Sequence, residues 1–224
     1  MLIKVIGIGG AGGQAVNLLT NAVSSDVDLV IANTDQTAWD RIKVPVKLKL
    51  GLENKCTNRN MAIGEKMCIE SKDRIQEVMS GADAVILTGG LGGGTGSSAI
   101  PYFSQIAKDM GISTKVIATL PFSFEHTAGK TTVTVRNAEA SLSKLKAIAS
   151  PLFVINLKDF STHEIISKLT YDLTLDWYSH GISLLIANLI RDIVEDVLQG
   201  KDIPLFIDKE TLYDRAIRIF EQLQ

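Results

Sequence analysis

An α/β fold, with a doubly wound and mainly parallel sheet of six strands, is what the sequence predicts. Three observations lead there. Short apolar runs alternate with segments of helical periodicity from Leu2 to Asn156. Two of those runs, Leu2 to Ile8 and Ala84 to Leu87, pass into glycine-rich turns. The notable turns all follow the carboxyl ends of predicted strands, where open α/β sheets bind ligands.

The first strand, Leu2 to Ile8, is apolar and rich in β-branched residues. It ends in Gly9-Gly10-Ala11-Gly12-Gly13, and a helix is predicted from Ala15 to Leu19. The second strand, Asp28 to Ala32, ends in Asn33-Thr34-Asp35. Asp35 stands where an acid reads ribose in dinucleotide folds, and it also fits as the N-cap of a helix through Trp39 and Ile42. Val44 to Leu50 alternates apolar and basic residues, as an edge strand does. A polar loop, 51–60, leads to helical spacing from Met61 to Met79. Ala84 to Leu87 is the fourth strand, Thr114 to Leu120 the fifth and Pro151 to Asn156 the sixth, with helices expected from Ala99 to Met110 and Thr131 to Ala149. Pro101 is expected in a first turn, where proline is tolerated.

Gly89 to Ser98 is the stretch around which the rest is arranged. Glycines let several backbone N–H groups point at one spot, and Thr95, Ser97 and Ser98 add hydroxyls. The helix that follows contributes unpaired N–H groups and the positive end of its dipole. A phosphate cradle is the physical reading. A flexible linker is the alternative, but apolar segments flank this stretch on both sides.

After Tyr171 a long helix is predicted, with Ile182, Leu185, Ile186, Leu189, Ile190, Ile193 and Val197 at helical spacing. A short strand (203–207) and a last amphipathic helix follow. The stripe Leu212, Ala216, Ile219 and Leu223 of that helix packs either on its own domain or on a partner.

With 224 residues and 46% hydrophobic content, the chain can bury a sizeable core. A net charge of −2 gives no bulk attraction for nucleic acid or anionic membranes. Two cysteines and three scattered histidines build neither a disulfide framework nor a metal site, so no protein-held metal is expected. The apolar start breaks into glycines at once, and no apolar run of about 18 residues is found. A cytoplasmic setting without membrane insertion is expected.

The loop Gly89 to Ser98 resembles the signature of the tubulin/FtsZ superfamily. Ile3 to Asn17 is similar to the first FtsZ loop and its flanks, Ala32 to Asp35 to the second, Pro121 to Glu125 to the fifth, and Gly181 to Ile186 to the end of the central helix. The resemblance implies the nucleotide-binding domain of that superfamily over 1–198, including a long central helix. Residues 199–224 would be a C-terminal extension, and no second domain is expected. It also implies GTP or GDP as ligand, with Mg held through the phosphates. Gly9, Gly10, Ala11, Gly12, Gly13 and Gln14, with Gly92, Gly93, Gly94, Thr95 and Gly96, would hold the phosphates. Asn33 and Asp35 would belong to the second loop of the site, Glu125 would meet the ribose, and Asp172 would read guanine. The alternative for Asp172 is a first-turn acid or N-cap.

Several positions depart from the pattern. Gln14 replaces asparagine, Lys130 stands near the place of the family's fifth-loop arginine and would substitute for it as a point charge, and the third loop reads Cys56-Thr57-Asn58-Arg59-Asn60. Arg59 either reaches the terminal phosphate or faces solvent. The sixth loop reads Asn156-Leu157-Lys158-Asp159, and Lys168 stands where an aromatic would stack on the base, with Tyr171 close. In the family a loop after the central helix carries a catalytic acid into the next subunit. Here helical periodicity runs on through Asp192, Glu195 and Asp196. These three are the candidates for that acid, although a solvated helix face accounts for them better.

The function expected is therefore a guanine-nucleotide-binding scaffold or regulator of assembly with weak or absent hydrolysis. Self-association, or a partner docked on the C-terminal helix, would be its protein contacts. An NAD-dependent oxidoreductase of the Rossmann type, supported by Gly7-x-Gly9-x-x-Gly12 and Asp35, is one alternative. An interaction module that has lost nucleotide affinity is the other.

Overall fold

The computed structural model describes residues 1–39, 42–122, 125, 131–149, 151–162, 175–201 and 209–222. Six parallel strands form one sheet: β1 (Ile3–Ile8), β2 (Val27–Asn33), β3 (Val46–Lys49), β4 (Ala84–Gly90), β5 (Ser113–Leu120) and β6 (Leu152–Asn156), in the order β3-β2-β1-β4-β5-β6. Every pairing is parallel; Val5 lies opposite Leu29 on one side and Ile86 on the other. The order reverses between β1 and β4, so their carboxyl ends open the crevice where such sheets take ligands.

Alternation along the strands explains the two layers. Ile3 and Val5 of β1, with Leu29, Ile31 and Ile86, face one core; Ile6 and Ile8, with Val30, Val85 and Leu87, face the other. The first core is closed by α1 (Gly9–Asn17) and α7 (Leu175–Leu198). The second is closed by α2 (Met61–Ile69), α3 (Lys72–Met79), α4 (Gly94–Asp109) and α5 (Val133–Ile148). Covered on both faces, the strands read as near-continuous apolar runs. Phe103, Ile75 and Met79 are fully buried in the second core, each contributing about 1.5–3 kcal/mol by area removed from water. A short helix, α6 (Leu157–Thr162), follows β6.

The 24 residues of α7 span about 36 Å. Helix α8 (Lys209–Gln222) packs on α7, with Leu212 and Ala216 buried in the same cluster as Ile186 and Ile190. Leu212 and Ala216 of its stripe are thus used within the chain, whereas the side chains of Ile219 and Leu223 lie outside the described residues. The short strand expected at 203–207 lies outside the described residues.

Three helix boundaries differ from expectation. Helix α1 starts at Gly9 rather than Ala15, and α4 at Gly94 rather than Ala99, so the glycine turns are themselves first turns of helices. Pro101 consequently falls inside α4 and not in its first turn. The stretch 61–79 is two helices. Ser71 Oγ donates to Met67 O at 2.8 Å and accepts from Gly51 N at 2.7 Å and from Arg74 at 2.9 Å. A serine side chain competing for backbone partners breaks the helix there.

Candidate functional site

The loops after all six strands line one cavity of about 550 Å³. Two helix N-termini meet in it. Helix α1 begins at Gly9 and α4 at Gly94; neither has a side-chain cap and neither carries an acid in its first turn. Gly9 has φ +72°, and a Cβ on it would lie 3.6 Å from Gly96 N, so the two helix starts are adjacent. Their unpaired N–H groups and dipoles favour an anion.

The glycines separate into two kinds. Some are needed for packing: a Cβ on Gly12 would sit 2.3 Å from Thr88 O, and one on Gly96 would sit 2.2 Å from Gly90 O. Backbone runs against backbone at both places. Gly10 and Gly93 are different. Both are exposed cavity-lining residues, and a Cβ on either would meet no atom within 4 Å beyond its own stretch of backbone. The room beside them opens into the cavity.

Of the residues expected to bind nucleotide, Gly9, Gly10, Ala11, Asn33, Asp35, Gly92, Gly93, Gly94, Thr95, Gly96 and Glu125 line the cavity. Gly12, Gly13 and Gln14 do not. Gly12 seats α1 on β4, Gly13 faces Ile31 and Ile42, and exposed Gln14 accepts a hydrogen bond from Ser179 Oγ of α7 at 3.4 Å. Lys130 and Asp172 lie outside the described residues, as do Lys168 and Tyr171. Asp192, Glu195 and Asp196 sit on α7 and do not line the cavity. Asp192 pairs with Arg215, and Asp196 lies 3.5 Å from Lys201.

Hydrogen bonds fix the loops to one another. Thr34 Oγ1 is 2.9 Å from Thr95 Oγ1, joining the second and fourth loops. Asn33 Oδ1 accepts from Thr34 N and Asp35 N, and Asp35 Oδ1 accepts from Thr37 N and Thr37 Oγ1. Asp35 thus caps the short 3₁₀ turn Gln36–Trp39, one of the two roles its sequence position allowed. Glu125 Oε2 accepts from Phe122 N at 3.0 Å, which closes the fifth loop. In the third loop, Asn58 and Arg59 have φ +48° and +62°, the two non-glycine residues with positive φ among those described.

Asn137 of α5 escaped the sequence reading. Its Nδ2 donates to Arg59 O at 2.8 Å and to Gly92 O at 3.1 Å. A lone amide on a helix carries no sequence signal, because only the fold brings the two loops beside it. Arg59 is the single basic side chain among the described cavity-lining residues, which include the acids Asp35 and Glu125. Among the described residues no cluster of His, Cys, Asp or Glu could hold a metal, so the donors present do not form a protein metal site.

Groups with shifted acidity lie elsewhere. Burial, reinforced by the Glu65 charge, pushes the Cys68 thiol up to about 12. Burial, and then Cys68, raises Tyr102; burial lowers Lys115. No helix among the described residues is long and apolar enough to cross a membrane.

Comparison with known proteins agrees with this geometry. The chain is 42% identical over 127 residues to the cell division protein FtsZ of Pseudomonas aeruginosa, covering 55% of this chain and 32% of that protein. It is 38% identical over 157 residues to FtsZ of Mycoplasmopsis pulmonis, covering 69% and 39%. The structure of an empty FtsZ dimer from M. jannaschii superimposes with a TM-score of 0.73 at 29% identity, covering 87% of this chain and 54% of that one. The matches span about a third of the length of those curated relatives and about half of the solved chain. The model of the Tubulin/FtsZ family, GTPase domain, matches residues 2–160, and the chain belongs to that family.

Proposed function

We propose that the chain binds GTP and GDP in the cavity at the β1/β4 crevice and acts as a nucleotide-dependent element of an FtsZ-like assembly, with little hydrolysis of its own. The observation that carries this is the meeting of two uncapped helix N-termini, α1 at Gly9 and α4 at Gly94, beside the open room at Gly10 and Gly93. Phosphates would lie against those helix starts. Gly9 to Ala11 and Gly92 to Gly96 would hold them by backbone N–H groups, with Mg held through phosphate oxygens. Glu125 would face the ribose, and Asp172 would accept from the guanine edge. Lys130 would add a point charge. Gly12 and Gly13 would act indirectly, by seating α1.

Slow turnover follows from the placement of Asp192, Glu195 and Asp196. Phosphoryl transfer depends on positioning and charge stabilisation. The acids on α7 lie within a continuous helix, and Asp192 is matched by Arg215. On this reading 1–198 is the nucleotide domain and 199–224 an extension, whose helix α8 buries Leu212 and Ala216 against α7. A dinucleotide enzyme would share the strand order but would not need the second glycine loop.

Calorimetry with GDP, GTP, ATP and NADH tests the proposal. Heat with the guanine nucleotides alone is the expected result. Equal binding of ATP removes the guanine reading, binding of NADH alone restores the oxidoreductase, and no heat with any leaves an interaction module.

A further inference from the structure

Arg59 and Gly92 come from loops 33 residues apart in sequence, yet the same amide nitrogen holds both of their carbonyls. Both residues have positive φ, +62° and +136°. For Gly92 that backbone is free of cost, whereas for an arginine it is unfavourable by about 1–2 kcal/mol. Without a partner for its carbonyl, Arg59 would relax toward an ordinary conformation, and its side chain, which lines the cavity, would shift with the backbone. One turn earlier on α5, Thr134 packs against the same loop: a Cβ on Gly92 would meet Thr134 Cγ2 at 2.7 Å. The start of α5 is therefore a rigid backing to which Asn137 ties both loops.

Charge gives this tie a direction. Arg59 is the one cation among the described lining residues, while Asp35 and Glu125 line the same cavity. The most anionic end of a ligand is drawn to the arginine and repelled by the carboxylates. Guanidinium recognises phosphate through a planar fork, so its orientation matters and not only its charge.

We infer that Asn137 is a positioning residue that holds Arg59 toward the terminal phosphate, and that the pair sets the preference for nucleoside triphosphate over diphosphate. This rests on the guanine-nucleotide reading above. It assigns to Asn137 a role in ligand selection, distinct from a merely structural one, because loosening the third loop weakens the triphosphate complex and leaves the diphosphate complex nearly unchanged.

The test is calorimetric binding of GTPγS and GDP by the full chain, unaltered and with Asn137→Ala, Asn137→Asp, Arg59→Gly and the Asn137→Ala/Arg59→Gly pair. Asn137→Asp keeps the shape but lacks the N–H donors. Arg59→Gly keeps the left-handed backbone and removes the guanidinium. Each single change should lower GTPγS affinity roughly tenfold and GDP affinity less than about twofold, the scale of a lost charge-assisted hydrogen bond. The pair should lose no more than Arg59→Gly alone, since both act through one side chain. Equal losses for both nucleotides, or fully additive losses in the pair, overturn the inference. So does an unchanged ratio in Arg59→Gly, which decides the matter even if the Asn137 variants fail to fold. An unaltered chain that binds neither nucleotide overturns the functional reading and this inference together. Binding by the unaltered chain with an unmoved ratio in the variants overturns only the latter.

Discussion

Arg215 of α8 forms an ion pair with Asp192 of α7, so one of the three acids expected as catalytic candidates is matched by a cation of its own chain. The side chains are 38% and 40% exposed, which keeps the pair modest in strength. Asp192→Ala is expected to leave GTP turnover per chain unchanged at high protein concentration. It should lower stability by about 0.2–1 kcal/mol, the range for an exposed pair. Steady-state phosphate release and a urea midpoint measured side by side check this. Brisk turnover that Asp192→Ala abolishes would show the acid to be catalytic after all.

Gly10 and Gly12 are two residues apart on α1 and should respond in opposite ways to one added methyl. At Gly10 the methyl meets only open cavity. Gly10→Ala should melt at or above the temperature of the parent chain, because alanine is the better helix former by roughly 0.5–1 kcal/mol. Its GDP affinity should nevertheless fall, since the methyl occupies room beside the helix start. At Gly12 the methyl would sit 2.3 Å from Thr88 O, a backbone atom that cannot swing aside. Gly12→Ala should therefore destabilise by about 1–3 kcal/mol or more. Thermal melts and GDP calorimetry on both variants separate the cases. Undiminished GDP binding by Gly10→Ala would mean that the ligand does not lie against this turn.

That contrast also explains how far the sequence was legible. All six strands could be read, because a sheet covered on both faces demands unbroken apolar runs such as Ala84 to Leu87. The two glycine turns could be read as well, since few other needs gather so many glycines after a strand. Where the helices begin could not. Glycine is a poor helix former, so propensity favours a loop at Gly9 and Gly94, yet close approach to β4 and to Gly90 requires glycine inside those first turns. The hydrogen bond from Gly51 to Ser71 and the two hydrogen bonds from Asn137 join residues 20 or more positions apart. Asp172, expected to read guanine, and Lys130 fall outside the described residues.

Thr34 is fully buried, and its hydroxyl is 2.9 Å from that of Thr95 in the first turn of α4. The bond ties the end of β2 to the first turn of α4. Thr34→Val keeps the shape and removes the hydroxyl, which should cost about 1 kcal/mol. Thr95→Val should cost a similar amount, and the two together little more than either. A double-mutant cycle read by urea unfolding measures the coupling, expected at about 0.5–1.5 kcal/mol. Additive losses would mean that the two hydroxyls act separately.

The two cysteines should differ sharply in reactivity. Cys56 is exposed in the third loop and lines the cavity; Cys68 lies on the inner face of α2 and is fully buried. Thiolate is the reactive form, and burial with the nearby Glu65 charge holds Cys68 protonated up to about 12. A maleimide at neutral pH should therefore label one thiol in the folded chain and the second only after denaturation. If nucleotide fills the cavity, GDP should slow labelling of Cys56 while ATP does not. The same shift predicts a pH effect. Below pH 9 both folded and unfolded chains carry the Cys68 thiol protonated, and stability is unaffected. Between 9 and about 12 the unfolded chain loses that proton and the folded chain keeps it, so stability falls as pH rises through this window. Cys68→Ala should remove that part of the alkaline loss while lowering stability at neutral pH through the smaller buried side chain. Rapid labelling of both thiols in the folded chain would contradict the packing of α2 on the sheet.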